Sequence, residues 1–281
     1  MNKLIILISS ILLLCSPALA EPRTWTEKES GRTITASLEG VEDGKVQLVI
    51  QGRGAVEVDM VGLSDADLVF LSEQGHFDWK QHRAEQLRGQ IQPKLQGAVL
   101  GELLHENQFT EMLSGEDGWV HGVGDWSVAE GELKGQEIPS ENHVAAGKWN
   151  SAFTNVVVAA ECKFSGATSI SYRFDAQEGH LGGFSIEREK GRVIIPRQNY
   201  TRSDATPPTW LGSAEHEVEE EKWYPVILQS IGETWTIYFD GTVYQGSDPA
   251  CALKKTNFGF IVAGESASFR NLSIWEADVV P

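Results

Sequence analysis

The chain has 281 residues, of which 41% are hydrophobic and 22% are charged. This is ordinary globular composition and excludes disordered, collagen-like and coiled-coil proteins. Lysine and arginine total 23 against 40 acidic residues, giving a formal net charge of −17. Such a surface repels phosphate backbones, so we expect neutral or cationic partners and no nucleic acid.

The first twenty residues have the features of a secretory signal peptide. Lys3 provides a positive start, an apolar stretch follows, and Ala18-Leu19-Ala20 is a cleavage signal of the A-x-A type. We expect cleavage after Ala20 and a secreted or periplasmic protein. The alternative is a lipoprotein acylated at Cys15, which is disfavoured because Leu14 stands where a small residue is preferred. No later apolar run approaches the length of a membrane span.

Short strands are predicted between residues 23 and 63. Apolar and polar residues alternate on both sides of Asp43-Gly44, a pair that tolerates the positive φ angles of a tight hairpin. Ser64 is predicted to be the N-cap of a helix, because Asp65 and Asp67 follow in the first turn.

Four motifs in this region resemble the SH3-like homology domain of Sla-type endocytic adaptors. They are Arg23-Thr24-Trp25-Thr26, Gly31-Arg32-Thr33-Ile34, Val41-Glu42-Asp43-Gly44-Lys45-Val46 with Leu48, and Leu63-Ser64 with Ala66-Asp67. The resemblance implies a small β barrel over residues 21–71. In the adaptors this domain binds Asn-Pro-Phe-type peptides, so it implies a possible protein or peptide partner here. Similar domains in secreted bacterial proteins leave a plain folded spacer as the alternative.

A helical bridge is predicted over residues 72–104. The stretch from 64 to about 90 is charged and helix-permissive, and it ends at Gly89 and Pro93. Residues 95–109 fit either a first strand of the next domain or a continued linker.

Residues 105–281 predict a two-sheet antiparallel sandwich. Strands with period-two alternation follow one another with turn signals and no helical interludes. Apolar positions that share one face of their strands are Val156, Val158, Ala160, Cys162, Phe164, Ile170, Tyr172, Phe174, Phe184, Ile186, Trp235, Ile237 and Phe239.

Three ordered signatures make this region similar to the concanavalin-like, laminin-G-like jelly-roll domain of the 3-keto-disaccharide hydrolase type. They are the segments 126–135, 223–241 and 269–275, which begin at Trp126, Trp223 and Phe269. The resemblance implies a mainly β fold in which an SH3-like barrel and a concanavalin-like jelly roll are joined by a short helical bridge. It also implies a ligand on the concave face of one sheet.

Polar side chains on two strands of this sandwich are the candidate saccharide site. Ser171 and Arg173 lie on one strand and Ser185 and Glu187 on another. If these strands are neighbours, Arg173 can meet Glu187 above a hollow, where a guanidinium fork and a carboxylate could hold vicinal hydroxyls. The alternative is a solvated sheet face with a structural ion pair.

Three further side chains complete the predicted binding set. Arg197 and Trp210 belong to a long polar segment that could wall a site, and Trp210 is the expected stacking residue. His180 follows Asp175 and Glu178 in a loop that reads as a hairpin tip. Two acids and a glycine do not make a calcium cage, so calcium is possible but unsupported and no cofactor is predicted.

We therefore expect an exported carbohydrate- or glycan-binding module. A first alternative is a glycoside hydrolase of the 3-keto-disaccharide type, in which Glu187 would be the acid or base. Ser185 stands where that family usually has a glutamate, and Glu187 faces the same way two residues on. A second alternative is a structural adaptor that uses residues 21–71.

Two cysteines, Cys162 and Cys251, remain in the mature chain. In an oxidising compartment they could form a disulfide, but each also lies in a stretch where a lone cysteine packs as a small hydrophobe. The sequence leaves both possibilities open.

Overall fold

The computed structural model describes residues 21–115, 118–177, 179–198 and 207–280. The predicted signal peptide, its cleavage after Ala20 and the acylation alternative at Cys15 lie outside these residues. The chain divides into two compact units, with the boundary after Arg83. Among the described helices, none has the length and apolar character needed to cross a membrane.

The first unit is a small antiparallel meander followed by a helix. Its strands pair in chain order and are β1 (Arg23–Thr26), β2 (Thr33–Glu42), β3 (Lys45–Ile50) and β4 (Gly54–Asp59). Asp43 and Gly44 connect β2 to β3 with φ angles of 51° and 75°, which confirms the predicted hairpin. Helix α1 (Asp65–Glu73) begins after Ser64, whose hydroxyl accepts a hydrogen bond from the Asp67 amide at 3.3 Å.

One apolar cluster holds this unit together. Its buried members are Trp25, Ala36, Leu38, Val46, Leu48, Leu63, Leu68 and Leu71. The Trp25 indole also donates a 3.0 Å hydrogen bond to the Ala36 carbonyl, which satisfies the buried nitrogen. The arrangement accounts for the predicted short strands, while the SH3-like classification stays a prediction.

The structure differs from the predicted bridge in the second half of residues 72–104. Helix α2 (Trp79–Ile91) spans the boundary between the units, and β5 (Ala98–Asn107) pairs with the last strand of the chain. Leu87, Ile91 and Leu100 are buried in one cluster with Trp275. Residues 84–104 are therefore part of the second unit, because their apolar side chains cover one of its sheet faces.

The second unit contains twelve more strands among the described residues. They are β6 (Trp119–Val123), β7 (Asp125–Ala129), β8 (Glu132–Gln136), β9 (Ala145–Phe153), β10 (Val156–Ala176), β11 (Gly179–Glu187), β12 (Arg192–Arg197), β13 (Thr209–Glu215), β14 (Trp223–Ile231), β15 (Thr234–Phe239), β16 (Thr242–Ser247) and β17 (Lys255–Val279).

Two long strands, β10 and β17, run antiparallel to each other along their whole length and belong to both sheets of the sandwich. The second half of β10 and the first half of β17 continue into β11, β12 and β13 on one side and β9 and β6 on the other, which we call sheet A. The remaining halves continue into β14, β15 and β16 on one side and β5 on the other, which we call sheet B. Register shifts near Gly166 mark the change from one sheet to the other.

The inner faces of the two sheets pack against each other. The ring centroids of Phe184 in sheet A and Phe239 in sheet B lie 5.6 Å apart, and those of Phe174 and Trp235 lie 6.3 Å apart. These contacts confirm the predicted mainly β jelly-roll sandwich and its inward-facing positions. The Asp240-Gly241 turn between β15 and β16 also has the expected positive φ angles, 43° and 79°.

Cys162 and Cys251 are buried free thiols and are not joined. Burial raises the pKa of Cys162 to about 12 and that of Cys251 to about 11. We therefore expect neither thiol to react with a thiol reagent in the folded protein at neutral pH, because the reactive thiolate is rare and inaccessible. In protein that begins at residue 21, titration with a chromogenic disulfide should detect no thiol in the folded state and two thiols after denaturation; a count of zero in denaturant would instead show that the pair had oxidised.

Candidate functional site

The outer face of sheet A carries the predicted polar residues. Strands β10 and β11 are neighbours, as expected, and Ser171 lies directly opposite Ser185 with 2.7 Å between their hydroxyl oxygens. Ser169 lies opposite Glu187. The two polar faces therefore coincide, because the buried residues that alternate with them, Ile170 and Ile186, point into the core.

Arg173 and Glu187, however, do not meet. Arg173 lies opposite Gly183, four residues from Glu187 along β11, which corresponds to about 13 Å of strand. The carboxylate beside Arg173 is Asp175, with 3.9 Å between Nε and Oδ1. The antiparallel register thus corrects the expectation of an Arg173–Glu187 clamp.

Glu187 is instead held by two basic side chains. Its oxygens accept hydrogen bonds from Lys190 at 2.9 Å and from Arg192 at 2.5 Å. Burial opposes ionisation of Glu187, but these two donors outweigh it and lower the pKa of the carboxyl group. Trp210 is 48% exposed, and the centroid of its ring lies 4.4 Å from the Arg192 guanidinium carbon. The predicted stacking residue and the predicted acid thus contact the same guanidinium group.

The hollow beside Arg173 is too small for a saccharide. It measures about 20 Å³, which is room for one water molecule. Gly182 and Gly183 line it where strands approach closely: a Cβ atom on Gly182 would clash with the Pro196 carbonyl oxygen. Arg197 does not line this hollow, and its Nε lies 3.4 Å from a carboxylate oxygen of Asp248. The expectation of a roomy hollow beside Arg173 is therefore wrong.

A larger cavity lies at the end of sheet A that is formed by the hairpin between β10 and β11. Its volume is about 540 Å³ and it is bordered by Lys148, Asn150, Asp175, Ala176, Gln177, Gly179, His180, Thr256 and Asn257. These residues come from β9, from the hairpin between β10 and β11, and from the start of β17. Of the predicted binding residues, His180 is the one that borders it. We call this hollow the Asp175 cavity.

Asp175 organises this cavity. Its Oδ1 lies 2.8 Å from His180 Nδ1, and its Oδ2 accepts hydrogen bonds from Lys148 Nζ at 2.5 Å and from Asn257 Nδ2 at 3.2 Å. Burial alone would raise the pKa of Asp175, yet the hydrogen bonds from His180 and Lys148 hold it well below its ordinary value. Asp175 is therefore a permanent anion at neutral pH, and it fixes the positions of three neighbouring side chains.

Sequence reasoning singled out Asp175 and His180 but missed Lys148 and Asn257. These two lie 27 and 82 residues from Asp175 along the chain, and strand register alone brings them together. Within the described residues, no group of three or more histidines, cysteines, aspartates or glutamates could hold a metal ion. Glu178, which entered the calcium possibility, lies outside those residues.

The first unit has a separate apolar hollow of about 240 Å³. Trp25, Ile34, Val58 and Leu63 contribute its apolar wall, and Glu27 and Arg32 lie at its border. Peptide binding by residues 21–71 stays a prediction, because an apolar hollow of this size does not by itself indicate what fills it.

No family model and no curated protein matches the chain. Among solved structures, it is similar to the carbohydrate-binding module CBM66 from Bacillus subtilis, with 13% identity over 57% of this chain and 96% of that chain and a TM-score of 0.47. A Bacillus subtilis protein of unknown function with a galectin-like fold is 12% identical over 64% of this chain and 98% of that chain, with a TM-score of 0.49. A laminarinase from Flavobacterium is 9% identical over 62% of this chain and 100% of that chain, with a TM-score of 0.45. Because these identities and scores are low, the function has to be inferred from the chain's own side chains.

Proposed function

We propose that the protein is an exported module that binds a saccharide in the Asp175 cavity. The observation that carries this proposal is an open hollow of about 540 Å³, within the usual size range of small-molecule sites, whose border is mainly polar. Such a border disfavours an apolar ligand. Amide, ammonium and imidazole groups converge on it, and sugar hydroxyls can both donate to and accept from groups of these kinds.

The preorganisation of the site supports the same proposal. Lys148, His180 and Asn257 are held by one buried carboxylate, so little side-chain freedom remains to be lost when a ligand binds. Export is proposed from the leader-like residues 1–20.

Replacement of Asn257 by alanine tests the location of the site. We expect Asn257→Ala to weaken binding of the best ligand found on a glycan array by about tenfold, the value of one neutral hydrogen bond. Trp210→Ala is the matched variant on β13, outside the border of the cavity, and should leave the affinity unchanged. The measurement is titration calorimetry, with circular dichroism to confirm folding. Full binding by Asn257→Ala together with loss of binding by Trp210→Ala would place the site at Trp210 instead.

A second candidate function is cleavage of a bound glycoside. The observation that favours it is the 2.8 Å contact between Asp175 and His180 Nδ1, since a carboxylate that orients an imidazole in this way makes the other ring nitrogen a suitable proton acceptor. His180, and not Glu187, would then be the base, because Glu187 is committed to Lys190 and Arg192.

Incubation with 3-keto-glucosides tests this candidate. Turnover should fall at least a hundredfold in His180→Gln and persist in Glu187→Gln, as expected for loss of a general base. Absence of turnover by the unmodified protein would leave binding as the function, whereas equal turnover by His180→Gln would remove His180 as the base.

A further inference from the structure

The basic groups around Asp175 outnumber the carboxylates that the structure describes there. Lys148, His180 and Arg173 all contact Asp175, and Asp175 is the one carboxylate among the described residues that border the cavity. Lys148 and His180 also border the cavity, whereas Arg173 does not, so the Lys148 ammonium group and the His180 imidazole are the basic groups that a ligand there can reach.

The acceptor capacity of Asp175 is also largely used within the protein. A carboxylate offers about four lone-pair sites, and those of Asp175 already face His180, Lys148, Asn257 and Arg173. Lys148 uses one of its three N–H groups on Asp175, and Asn257 uses one of its two. Lys148 therefore keeps N–H groups that Asp175 does not use and that a ligand in the cavity can reach.

We infer that the saccharide bound in the Asp175 cavity carries an anionic substituent, a carboxylate or a sulfate ester, which is placed against Lys148. This inference rests on the proposed function. Charge-assisted hydrogen bonds from an ammonium group to such an oxyanion are shorter and stronger than those to a hydroxyl. The acidic surface of the rest of the protein repels a polyanion, so the inference concerns a single acidic sugar seated in the cavity and departs from the expectation of neutral or cationic partners only there.

Paired ligands that differ only in charge test the inference on the full chain. One pair is galacturonic acid and its methyl ester, and the other is galactose 6-sulfate and galactose. In calorimetry at low salt, we expect one acidic member to bind at least tenfold more tightly than its neutral partner, and the advantage to shrink as salt is added. Which pair shows the advantage identifies the carboxylate or the sulfate ester.

Substitutions of Lys148 assign the preference to this cavity. Lys148→Met should abolish the advantage of the acidic ligand, Lys148→Arg should retain it, and Lys134→Met, at an exposed lysine of the same unit, should leave it unchanged. If Lys148→Met fails to fold, Lys148→Arg decides the question: a preference for the acidic ligand that is retained and weakens with salt supports the inference, and loss of the preference overturns it. Equal binding of both members of each pair, or a preference that survives in folded Lys148→Met, overturns the inference and leaves saccharide binding intact. Absence of binding by all four ligands overturns it together with the saccharide class that they represent.

Discussion

Replacement of Asp175 by asparagine should lower the free energy of unfolding by about 3–5 kcal/mol, as expected when one partner of a buried ion pair is removed. The Asp175 side chain is 9% exposed and contacts Lys148, Arg173 and His180. The asparagine side chain would offer one neutral oxygen and an amide nitrogen that cannot accept a hydrogen bond, so positive groups would lose their counter-charge in a partly buried place. Urea denaturation followed by tryptophan fluorescence measures the change.

The same carboxylate should make stability depend on acid. The pKa of Asp175 is depressed in the folded protein from its ordinary value of 3.8, so its contribution is fully present above that pH and is lost as pH falls through the folded pKa. The unmodified protein should therefore lose stability faster than Asp175→Asn as pH falls below about 4. Asp125→Asn, at an exposed aspartate of β7, is the control and should follow the unmodified protein. Parallel acid curves for the unmodified protein and Asp175→Asn would contradict the assignment.

A double-mutant cycle separates the Asp175–Lys148 interaction from its surroundings. If the two side chains stabilise the fold through each other, the loss in Asp175→Asn combined with Lys148→Met should be smaller than the sum of the single losses. Additive losses would mean that the 2.5 Å contact between them contributes little to stability.

The fold could be predicted largely because its signals are local. The alternation of buried and exposed residues from Val156 to Phe174 fixes which face of β10 points inward, and Asp43-Gly44 and Asp240-Gly241 carry the backbone preferences of their own hairpins. The second half of the predicted bridge was harder to interpret. Leu87, Ile91 and Leu100 are far from Trp275 along the chain, and their shared role is visible only once Trp275 is packed against them.

The site could be predicted only in part because it depends on register. The alternation correctly placed Ser171, Arg173, Ser185 and Glu187 on one face of sheet A, but the relative shift of two strands decides which side chains touch. That shift sets Arg173 against Gly183 and leaves it beside Asp175. Lys148 is contributed by β9 and is recognisable as a site residue only through its contact with Asp175.

Lys255 is the clearest example of a residue whose role the sequence conceals. It follows Lys254 in what reads as an exposed basic pair, yet its side chain is fully buried at the start of β17, whereas Lys254 is exposed. Its ammonium group donates to the backbone carbonyls of Thr154 at 2.7 Å and Cys251 at 2.6 Å, and it lies 6.0 Å from the ring of Phe174. Burial lowers the pKa of Lys255 to about 8.

This burial should make the contribution of Lys255 to stability more favourable in alkali than at neutral pH. In the unfolded chain Lys255 keeps its ordinary pKa of 10.5, so below pH 8 folding carries the full cost of burying the charge. The cost disappears as pH rises from the folded to the unfolded pKa, a gain on the order of 3 kcal/mol. In Lys255→Met the two carbonyls lose their donor at every pH, so its free energy of unfolding should fall increasingly behind that of the unmodified protein between about pH 8 and pH 10. Lys254→Met, which removes an exposed charge next to it, should run parallel to the unmodified protein. A constant difference between the unmodified protein and Lys255→Met across this range would show that the amine has the same pKa folded and unfolded, and hence that water reaches it.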